Sequence, residues 1–284
     1  MQMESFAHGK VIDRIAFLDD DRNNPVNATS DDLDLALRLA DIADDITLTY
    51  FERRNFTSSR KVDFTEVTQA DQETENVLAA EVGRERPQHS FYGEEFGEAG
   101  RSDSNLTWII DPIDGTSNFT RGVPVWATLI ALVDRTQGPI LGVVSAPALA
   151  RRWWASRSNG AYVNGRPIRV SEISDIGEAQ ISVTFNKGWD DLGLTPNLVA
   201  LQQRCYRTRG FGDFWQHMLV AEGAIDIAID AIGLAPYDNA AVQIVVEEAG
   251  GLHTDRLGNR DFTQNSAVSS NGCLHPAVIE ALGS

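Results

Sequence analysis

The sequence predicts a two-part fold, an α+β half with an antiparallel sheet followed by an α/β half. The first observation is composition, because 42% of the 284 residues are hydrophobic and 23% are charged, as in ordinary globular proteins. The second is a succession of strand-like segments between residues 90 and 163. The third is the alternation of strands and helices after residue 175. We therefore expect a flexible N-terminal extension over residues 1–29, the α+β half over 30–175 and the α/β half over 176–284.

Two amphipathic helices are predicted before the strands. Ser30 is a suitable N-cap for the first, because its side chain can accept a hydrogen bond from the first turn. Apolar residues then recur at helical spacing and form one face: Leu35, Leu39, Ile42 and Ile46. The second helix is predicted to follow Asp71, with three apolar residues facing inward: Val77, Leu78 and Val82.

Strand signals follow in both halves. The apolar segments predicted to be strands in the first half are 90–93, 107–110, 127–133, 140–145 and 152–155. Asn164 and Gly165, directly after the apolar segment 161–163, predict a tight hairpin. The second half is predicted to contain strands at 181–184, 205–208 and 224–229 and helices at 214–222 and 238–249.

The composition excludes several partners. With 24 Lys and Arg against 41 Asp and Glu, the formal net charge is −17, which disfavours nucleic acid and anionic membranes. The longest apolar stretch, 123–133, is about half of the ~20 residues that a membrane-spanning helix requires, and the N-terminus has no signal-peptide pattern. Cys205 and Cys273 form no disulfide framework, so we predict a location in the reducing cytoplasm.

The chemistry-bearing residues are concentrated in two acidic motifs: Gly93-Glu94-Glu95 and Asp111-Pro-Ile-Asp114-Gly115-Thr116-Ser117. An apolar strand delivers Asp111 to its end, Pro112 stops the strand, and Gly115 permits a sharp turn. Free backbone N–H groups at the following helical turn favour phosphate. Carboxylates beside them favour Mg²⁺, which prefers oxygen ligands. The pattern indicates metal-assisted chemistry on a small-molecule phosphate monoester.

Two other interpretations of the second motif are open. Asp111 and Asp114 can cap a turn by bonding only to local backbone. An aspartyl-phosphate phosphatase would place its two aspartates two residues apart in the pattern DxDxT, whereas here they are three apart with Pro112 between them, so that class fits poorly. The histidines match no zinc or phosphohistidine pattern and are expected at the surface or at helix caps: His8, His89, His217, His253 and His275.

Four separated motifs resemble those of the inositol monophosphatase superfamily of Mg²⁺-dependent phosphomonoesterases: Val67-Thr68-Gln-Ala-Asp71, Glu94-Glu95, the Asp111–Ser117 motif and Asp238-Asn-Ala-Ala241. Within the superfamily, segments 121–132, 143–155 and 210–214 are most similar to the actinobacterial histidinol-phosphate phosphatases. The resemblance runs from about residue 31 to the C-terminus. It implies a layered αβαβα sandwich of the fructose-1,6-bisphosphatase type, assembled as a homodimer.

The resemblance also implies roles for individual residues. The ligands of two to three Mg²⁺ ions would be Glu94, Asp111, the Ile113 carbonyl, Asp114 and Asp238. The implied catalytic residues, which orient a metal-bound water for attack on phosphorus, are Asp71, Thr116 and Glu94, with Asp71 accepting a hydrogen bond from Thr116. The phosphate would be held by the backbone N–H groups of Gly115, Thr116 and Ser117. The implied substrate contacts are Asp114, Arg209, Asp213, Asp230 and Asp238.

Some of these substrate contacts have alternatives. Arg209 either faces the substrate or balances the acidic core together with Arg207. Asp213 and Asp230 either contact the leaving group, or they are solvated or bonded to these two arginines. The family usually has Trp before the last metal-binding Asp, where this chain has Tyr237. Compared with the family, this chain also has what looks like one extra residue between Asp230 and Asp238. The histidinol-phosphate members typically have Lys where this chain has Ser117.

The implied reaction is hydrolysis of L-histidinol phosphate in histidine biosynthesis. The alternative within the same chemistry is an inositol-1-phosphate phosphatase or a sugar-phosphate phosphatase of broad specificity. A remote alternative from another class is a non-catalytic regulator, because a fold does not fix a function. The departures at Ser117 and Tyr237 remove no metal ligand, so they bear on the substrate and not on the hydrolytic class.

Overall fold

The structure is a computed structural model that describes residues 26–60, 66–230 and 232–283. Most of the predicted N-terminal extension therefore lies outside the described residues. The helices are α1 (Ser30–Arg53), α2 (Gln69–Glu85), α3 (Thr116–Arg121), α4 (Gly188–Asp191), α5 (Thr195–Arg204), α6 (Asp213–Ala221), α7 (Pro236–Glu248) and α8 (His275–Leu282). In this part of the chain, no helix is both long and apolar enough to cross a membrane.

The strands of the first half are β1 (Ser58–Arg60), β2 (Glu66–Thr68), β3 (Ser90–Gly93), β4 (Gly97–Gly100), β5 (Leu106–Asp114), β6 (Ala127–Asp134), β7 (Gly138–Ala146), β8 (Arg151–Ser156), β9 (Ala161–Val163) and β10 (Arg166–Ile168). Those of the second half are β11 (Gln180–Thr184), β12 (Arg207–Arg209), β13 (Ile227–Asp230), β14 (Leu252–Thr254) and β15 (Ala267–Ser270).

Two sheets organise these strands. The first has the order β10-β9-β8-β7-β6-β5-β3-β4, and its neighbours are antiparallel except for the parallel pair β3 and β5. The second has the order β12-β11-β13-β15-β14, in which β11 is parallel to β12 and β13, and β15 is antiparallel to β13 and β14. Strands β1 and β2 form a separate hairpin.

The layers follow from the faces that each sheet must bury. Helices α1 and α2 pack on one face of the first sheet, α6 and α7 lie between the sheets, and α5 and α8 cover the outer face of the second. Because helices cover both faces of the first sheet, every residue of β6 and β7 is buried. This arrangement confirms the expected αβαβα sandwich.

Several predicted elements have different bounds in the structure. Thr29, not Ser30, is the N-cap of α1, because its side chain accepts the Asp32 N–H at 3.2 Å and Asp32 bonds back to the Thr29 N–H at 3.1 Å. The inward orientation predicted for Val77 was wrong, since this side chain is 39% exposed. The strand predicted at 205–208 begins only at Arg207, after α5, a helix that the sequence analysis did not predict.

The tight hairpin predicted at Asn164 and Gly165 is confirmed. These two residues connect β9 to β10, and they have φ angles of 47° and 76°. Positive φ at both central positions matches the twist of the flanking strands, and Asn and Gly accept it at little steric cost.

One glycine sets the position of α7 on the first sheet. A Cβ at Gly142 of β7 would lie 2.5 Å from Ile244 Cγ2 and 2.7 Å from the Ala241 carbonyl oxygen. Real side chains do not approach so closely, so only glycine lets the α7 backbone approach β7 in this way. Because α7 also carries Asp238, this contact bears on the candidate site.

We expect Gly142→Ala to lower the free energy of unfolding by about 1–3 kcal/mol, the usual cost of overpacking a filled core. Gly83 of α2 is a matched control, because a Cβ there meets no atom within 4 Å. Gly83→Ala should raise stability by about 0.5–1 kcal/mol, since it removes backbone freedom from the unfolded chain. Urea denaturation measures both changes, and equal stability of the two variants would show that α7 does not depend on Gly142.

Candidate active site

Two predicted ligands, Asp111 and Asp114, lie at the end of β5. Asp111 pairs with Leu129 of β6 and Asp114 pairs with Ala127, so β5 has one residue more than β6 across this stretch. This bulge matters because residues three apart in a regular strand point to opposite faces of the sheet. The Asp111 carboxylate stabilises the irregular turn by accepting the Ile113 N–H at 2.9 Å. Both aspartates can consequently face the same site.

The third carboxylate, Asp238, comes from the first turn of α7. Pro236 begins this helix at a position where its missing N–H costs no helical hydrogen bond. The Ala235 N–H donates to Asp238 Oδ2 at 2.6 Å and fixes the side chain. One carboxylate oxygen from each of Asp111, Asp114 and Asp238 lies within 4.8 Å of the other two. The structure thus assembles most of the predicted ligand set from β5 and α7.

Burial makes this carboxylate cluster unfavourable on its own. Burial, together with the charges of neighbouring carboxylates, raises the pKa of Asp111 and of Asp114 well above the usual value and that of Asp238 to about 7. Glu94 lines the same cavity as these aspartates. A divalent cation would relieve the repulsion, and a donor set made only of oxygen atoms suits Mg²⁺. The residues present therefore fit this metal.

Glu75 of α2 holds the loop that contains Glu94. Its carboxylate accepts the Glu95 N–H at 2.7 Å and the Phe96 N–H at 2.8 Å. Gly93 makes this approach possible, because a Cβ there would lie 2.1 Å from Glu75 Oε1. The sequence analysis did not identify Glu75, since its partners are backbone groups of a distant segment.

Asp71 and Thr116, the predicted catalytic pair, lie close together. Asp71 Oδ2 accepts the Thr68 N–H at 2.8 Å and the Thr68 hydroxyl at 2.5 Å, a reciprocal capping box that orients the carboxylate. Its Oδ1 atom lies 3.5 Å from Thr116 Oγ1, longer than an ordinary O–H···O hydrogen bond. The Thr116 hydroxyl is 3.0 Å from the Ile113 carbonyl oxygen. Burial raises the pKa of Asp71 to about 7.

The turn after β5 contains the three residues that were predicted to hold phosphate: Gly115, Thr116 and Ser117. Gly115 has a φ of 84°, a conformation that glycine adopts without steric cost, and α3 begins at the next residue. The N–H groups at Gly115, Thr116 and Ser117 therefore precede the hydrogen bonds of this helix. These three residues line a cavity of about 410 Å³ together with Asp111, Asp114 and Asp238.

A second cavity, of about 230 Å³, shares Asp114, Asp213 and Asp238 with the first. Asp213 begins α6 with a φ of 47°, and its Oδ2 atom accepts a hydrogen bond from Asn118 Nδ2 at 2.8 Å. Burial raises the pKa of Asp213 to about 6, and the charge of Asp230 contributes to the increase. Asp230, at the end of β13, lines the same cavity. Two of the predicted substrate carboxylates therefore face one pocket beside the cluster.

Arg209 does not reach this pocket. It lies on the edge strand β12, its side chain is exposed, and its Nη1 donates to the Thr208 carbonyl at 2.6 Å. It lines neither of the two cavities. A substrate role for Arg209 stays a prediction that the geometry does not support. Arg207 is exposed on the same strand, and no ion pair joins either arginine to Asp213 or Asp230 among the described residues.

The surface positions predicted for the histidines were wrong for those that the structure describes: His89, His217, His253 and His275 are all buried. His8 lies outside the described residues. His217 lines the second cavity. A signal for its burial was present, because His217 lies three residues after Phe214 and four before Ala221, the spacing of one helix face.

The two departures from the family pattern both lie near the site. Tyr237, next to Asp238, stacks on Tyr92 with ring centroids 6.1 Å apart. Ser117 is exposed and lines the first cavity. Neither residue displaces a carboxylate of the cluster.

The layered fold, the carboxylate cluster and the adjoining cavity agree with the comparisons below, which identify the chain as a phosphoric monoester hydrolase. The chain belongs to the inositol monophosphatase family, whose model matches residues 29–284. It is 45% identical over 257 residues to the histidinol-phosphatase of Mycobacterium tuberculosis, covering 89% of this chain and 98% of that protein. It is 41% identical over 257 residues to the histidinol-phosphatase of Streptomyces coelicolor, covering 88% and 96%.

A solved structure supports the same family assignment. The extragenic suppressor protein suhB from Bartonella henselae matches this fold with a TM-score of 0.82 and 28% sequence identity. The match covers 90% of this chain and 99% of that one. The layered architecture is therefore shared over nearly the whole length of both proteins.

Proposed function

We propose that this protein is a Mg²⁺-dependent phosphatase that hydrolyses L-histidinol phosphate to L-histidinol and phosphate. The observation that carries the proposal is the position of Asp213 and Asp230 in the cavity beside the carboxylate cluster. L-histidinol phosphate carries an ammonium group, which pairs favourably with carboxylates. An inositol ring has only hydroxyl groups, which neutral residues bind equally well. The similarity to two histidinol-phosphatases supports the same choice.

The proposed metal ligands are Glu94, Asp111, the Ile113 carbonyl, Asp114 and Asp238, with two to three ions per site. Bound there, Mg²⁺ would lower the pKa of water and stabilise the negative charge of the transferring phosphoryl group. The chemistry of the donor set supports this assignment, since it consists of oxygen atoms alone.

The protein's own groups would position the reacting atoms. The N–H groups at Gly115, Thr116 and Ser117 donate to phosphate oxygens. Asp71, whose pKa burial raises to about 7, accepts the proton of the attacking water, and Thr116 helps to orient that water. The water oxygen forms a new bond to phosphorus as the ester bond between phosphorus and the leaving oxygen breaks. The released alkoxide takes up a proton from solvent water. Asp213 and Asp230 hold the ammonium group of the leaving alcohol.

Phosphate release from L-histidinol phosphate and from inositol 1-phosphate, with Mg²⁺ and with excess chelator, tests the proposal. We expect release from L-histidinol phosphate that depends on Mg²⁺. Undiminished release in chelator would contradict the metal assignment. Absence of release from both substrates would favour the non-catalytic regulator instead.

We expect Asp213→Asn and Asp230→Asn to raise KM for L-histidinol phosphate by roughly ten- to hundredfold. Each variant removes one charge-assisted hydrogen bond to the ammonium group, worth about 1.5–3 kcal/mol, and 1.4 kcal/mol corresponds to a factor of ten. Steady-state kinetics with 4-nitrophenyl phosphate, which lacks an ammonium group, provide the comparison. Equal losses on both substrates would show that the two aspartates do not recognise the leaving group.

We further propose that the working form is a homodimer in the cytoplasm. The family resemblance supports the dimer, and the small number of cysteines, two in 284 residues, supports a reducing compartment. Sedimentation of the purified protein would measure the assembly state.

A further inference from the structure

The Asp230 carboxylate is held on one side by two consecutive residues of α6. Its Oδ2 atom accepts a hydrogen bond from Gln216 Nε2 at 2.6 Å and lies 2.9 Å from His217 Nε2. Among the described residues, no hydrogen bond reaches its Oδ1 atom, although Asp230 is only 5% exposed and lines the second cavity. One oxygen is therefore fixed by the protein, and the other is left for a ligand in the cavity.

Gln216 divides its hydrogen bonds between partners. Its Nε2 donates both to Asp230 and to Thr184 Oγ1, at 3.0 Å, while its Oε1 accepts the Ser182 hydroxyl at 2.8 Å. The amide nitrogen has two protons, so the Asp230 carboxylate receives only one of them, and a second donor is needed to fix the rotation of this carboxylate. His217 is that donor, and its ring is only 4% exposed.

A serine and a second histidine lie behind His217. Ser269 Oγ is 2.8 Å from His217 Nδ1 and also 2.8 Å from His253 Nδ1. A hydroxyl has one proton and can donate to only one of these rings, whereas an ionised carboxylate only accepts. With Asp230 as acceptor, Nε2 of His217 must carry a proton. A neutral His217 then accepts the Ser269 proton at Nδ1, and His253 Nδ1–H donates to Ser269.

The surroundings of His253 favour this pattern. Burial holds the pKa of His253 well below its usual value, so that this ring is neutral near pH 7. A neutral His253 has one N–H to donate, and the nearby Ser269 oxygen is a suitable acceptor. The chain of contacts therefore runs from the second sheet through Ser269 and His217 to Asp230.

We propose that His217 is a positioning residue for substrate selectivity, whose Nε2–H holds the Asp230 carboxylate so that Oδ1 receives the ammonium group of the substrate. Ser269 and His253 maintain the proton on Nε2 of His217. The nature of the bound group rests on the function proposed above, whereas the role of His217 rests on its contacts with Asp230 and Ser269. His217 itself acts through Asp230.

Two substitutions of His217 test whether selectivity depends on a donor at the position of Nε2. In glutamine, the amide nitrogen is as many bonds from Cα as Nε2 of histidine, so His217→Gln can still donate to Asp230. The amide nitrogen of asparagine corresponds in position to Nδ1 of histidine, so His217→Asn has no donor that reaches Asp230. We expect His217→Asn to raise KM for L-histidinol phosphate about tenfold, with kcat changed less than about twofold, and His217→Gln to retain wild-type KM within about twofold.

Two controls exclude a general effect on folding. KM for 4-nitrophenyl phosphate should change less than about twofold in both variants, because this substrate has no ammonium group. His275→Gln is the matched control, because His275 is a buried histidine that contacts Thr254 and Ser270 and not Asp230. It should lower the melting temperature without changing selectivity. Equal KM for the Gln and Asn variants, or parallel losses on both substrates, would overturn the proposal.

The tautomer of His217 gives a readout that does not depend on any substrate. Long-range ¹H–¹⁵N NMR of the Mg²⁺-loaded protein, labelled at histidine, should show a protonated Nε2 for His217. An unprotonated Nε2 would overturn the inference. If the wild-type protein released no phosphate from L-histidinol phosphate while Nε2 was protonated, the proposed function would fail and the contact between His217 and Asp230 would stand.

Discussion

Replacing Asp111 or Asp238 by Asn is expected to abolish phosphate release. Both carboxylates belong to a cluster whose oxygen atoms lie within 4.8 Å of one another, and each substitution removes one negative charge from it. The affinity of such a site for a divalent cation depends on the charge and number of its ligands. Phosphate release at saturating Mg²⁺ measures the effect, and full turnover by either variant would contradict the assigned ligands.

Stability provides a second readout for the same two variants. Because burial and mutual repulsion raise the pKa of these carboxyls, a neutral Asn should leave the metal-free protein at least as stable as the wild type. Mg²⁺ should then stabilise the wild type more than either variant, since a ligand stabilises only the state that binds it. The thermal shift on adding Mg²⁺ is the quantity to compare.

Asp134→Asn is a matched control for these substitutions. Asp134 is also a buried carboxylate, and its Oδ1 atom accepts the Thr136 N–H at 2.9 Å and the Gln137 N–H at 3.0 Å. It lies at the end of β6 far from the pairing of Asp114 with Ala127. This variant should lose stability and retain activity.

Replacing Asp71 or Thr116 by Ala is expected to lower kcat by about 10²–10⁴, the usual contribution of a positioned acid–base group. Asp71 is fixed by its two hydrogen bonds from Thr68, and its other oxygen faces Thr116 at 3.5 Å. In the proposed mechanism the two residues act on one water as a unit, so the double variant should lose little more than the worse single variant. Losses that multiply fully in the double variant would show that they act separately.

The carboxylates at the end of β5 could be predicted from the sequence because a single local pattern contains them. An apolar strand followed by Gly115 places Asp111 and Asp114 close to the end of that strand. The predicted stop at Pro112 was wrong, because β5 continues through a bulge to Asp114 and stays paired with β6. Their common orientation could not be predicted, because it depends on the bulge in the pairing with β6. Asp238 lies on a distant helix, and only the family resemblance connected it to the same cluster.

The residues that support the site were harder to predict from the sequence. Glu75 acts on backbone N–H groups after Gly93, and backbone groups leave no pattern in a sequence. His217 was assigned to the surface because no motif contained it, although the layered packing buries it beneath the second cavity. The substrate contact of Arg209 stays a prediction, because its side chain is exposed on an edge strand and lines neither cavity.

The layered arrangement was predictable for a related reason. The buried strands β6 and β7 appear in the sequence as continuous apolar segments, which indicate cover on both faces. The short elements α5 and β12 have weaker signals, and their bounds depend on packing against the second sheet. Long, strongly apolar elements were therefore located well. The short elements α5 and β12 were not, whereas the short hairpin of β9 and β10 was located by its Asn164-Gly165 turn.

The central claim is that the pocket beside the carboxylate cluster, which Asp213 and Asp230 line, selects a substrate with a cationic leaving group. The most direct test is kcat/KM of the wild-type protein for L-histidinol phosphate relative to inositol 1-phosphate at saturating Mg²⁺. We expect a preference of at least about tenfold for L-histidinol phosphate, which corresponds to one charge-assisted hydrogen bond. Equal values, or a preference for inositol 1-phosphate, would contradict the claim and favour the phosphatase of broad specificity.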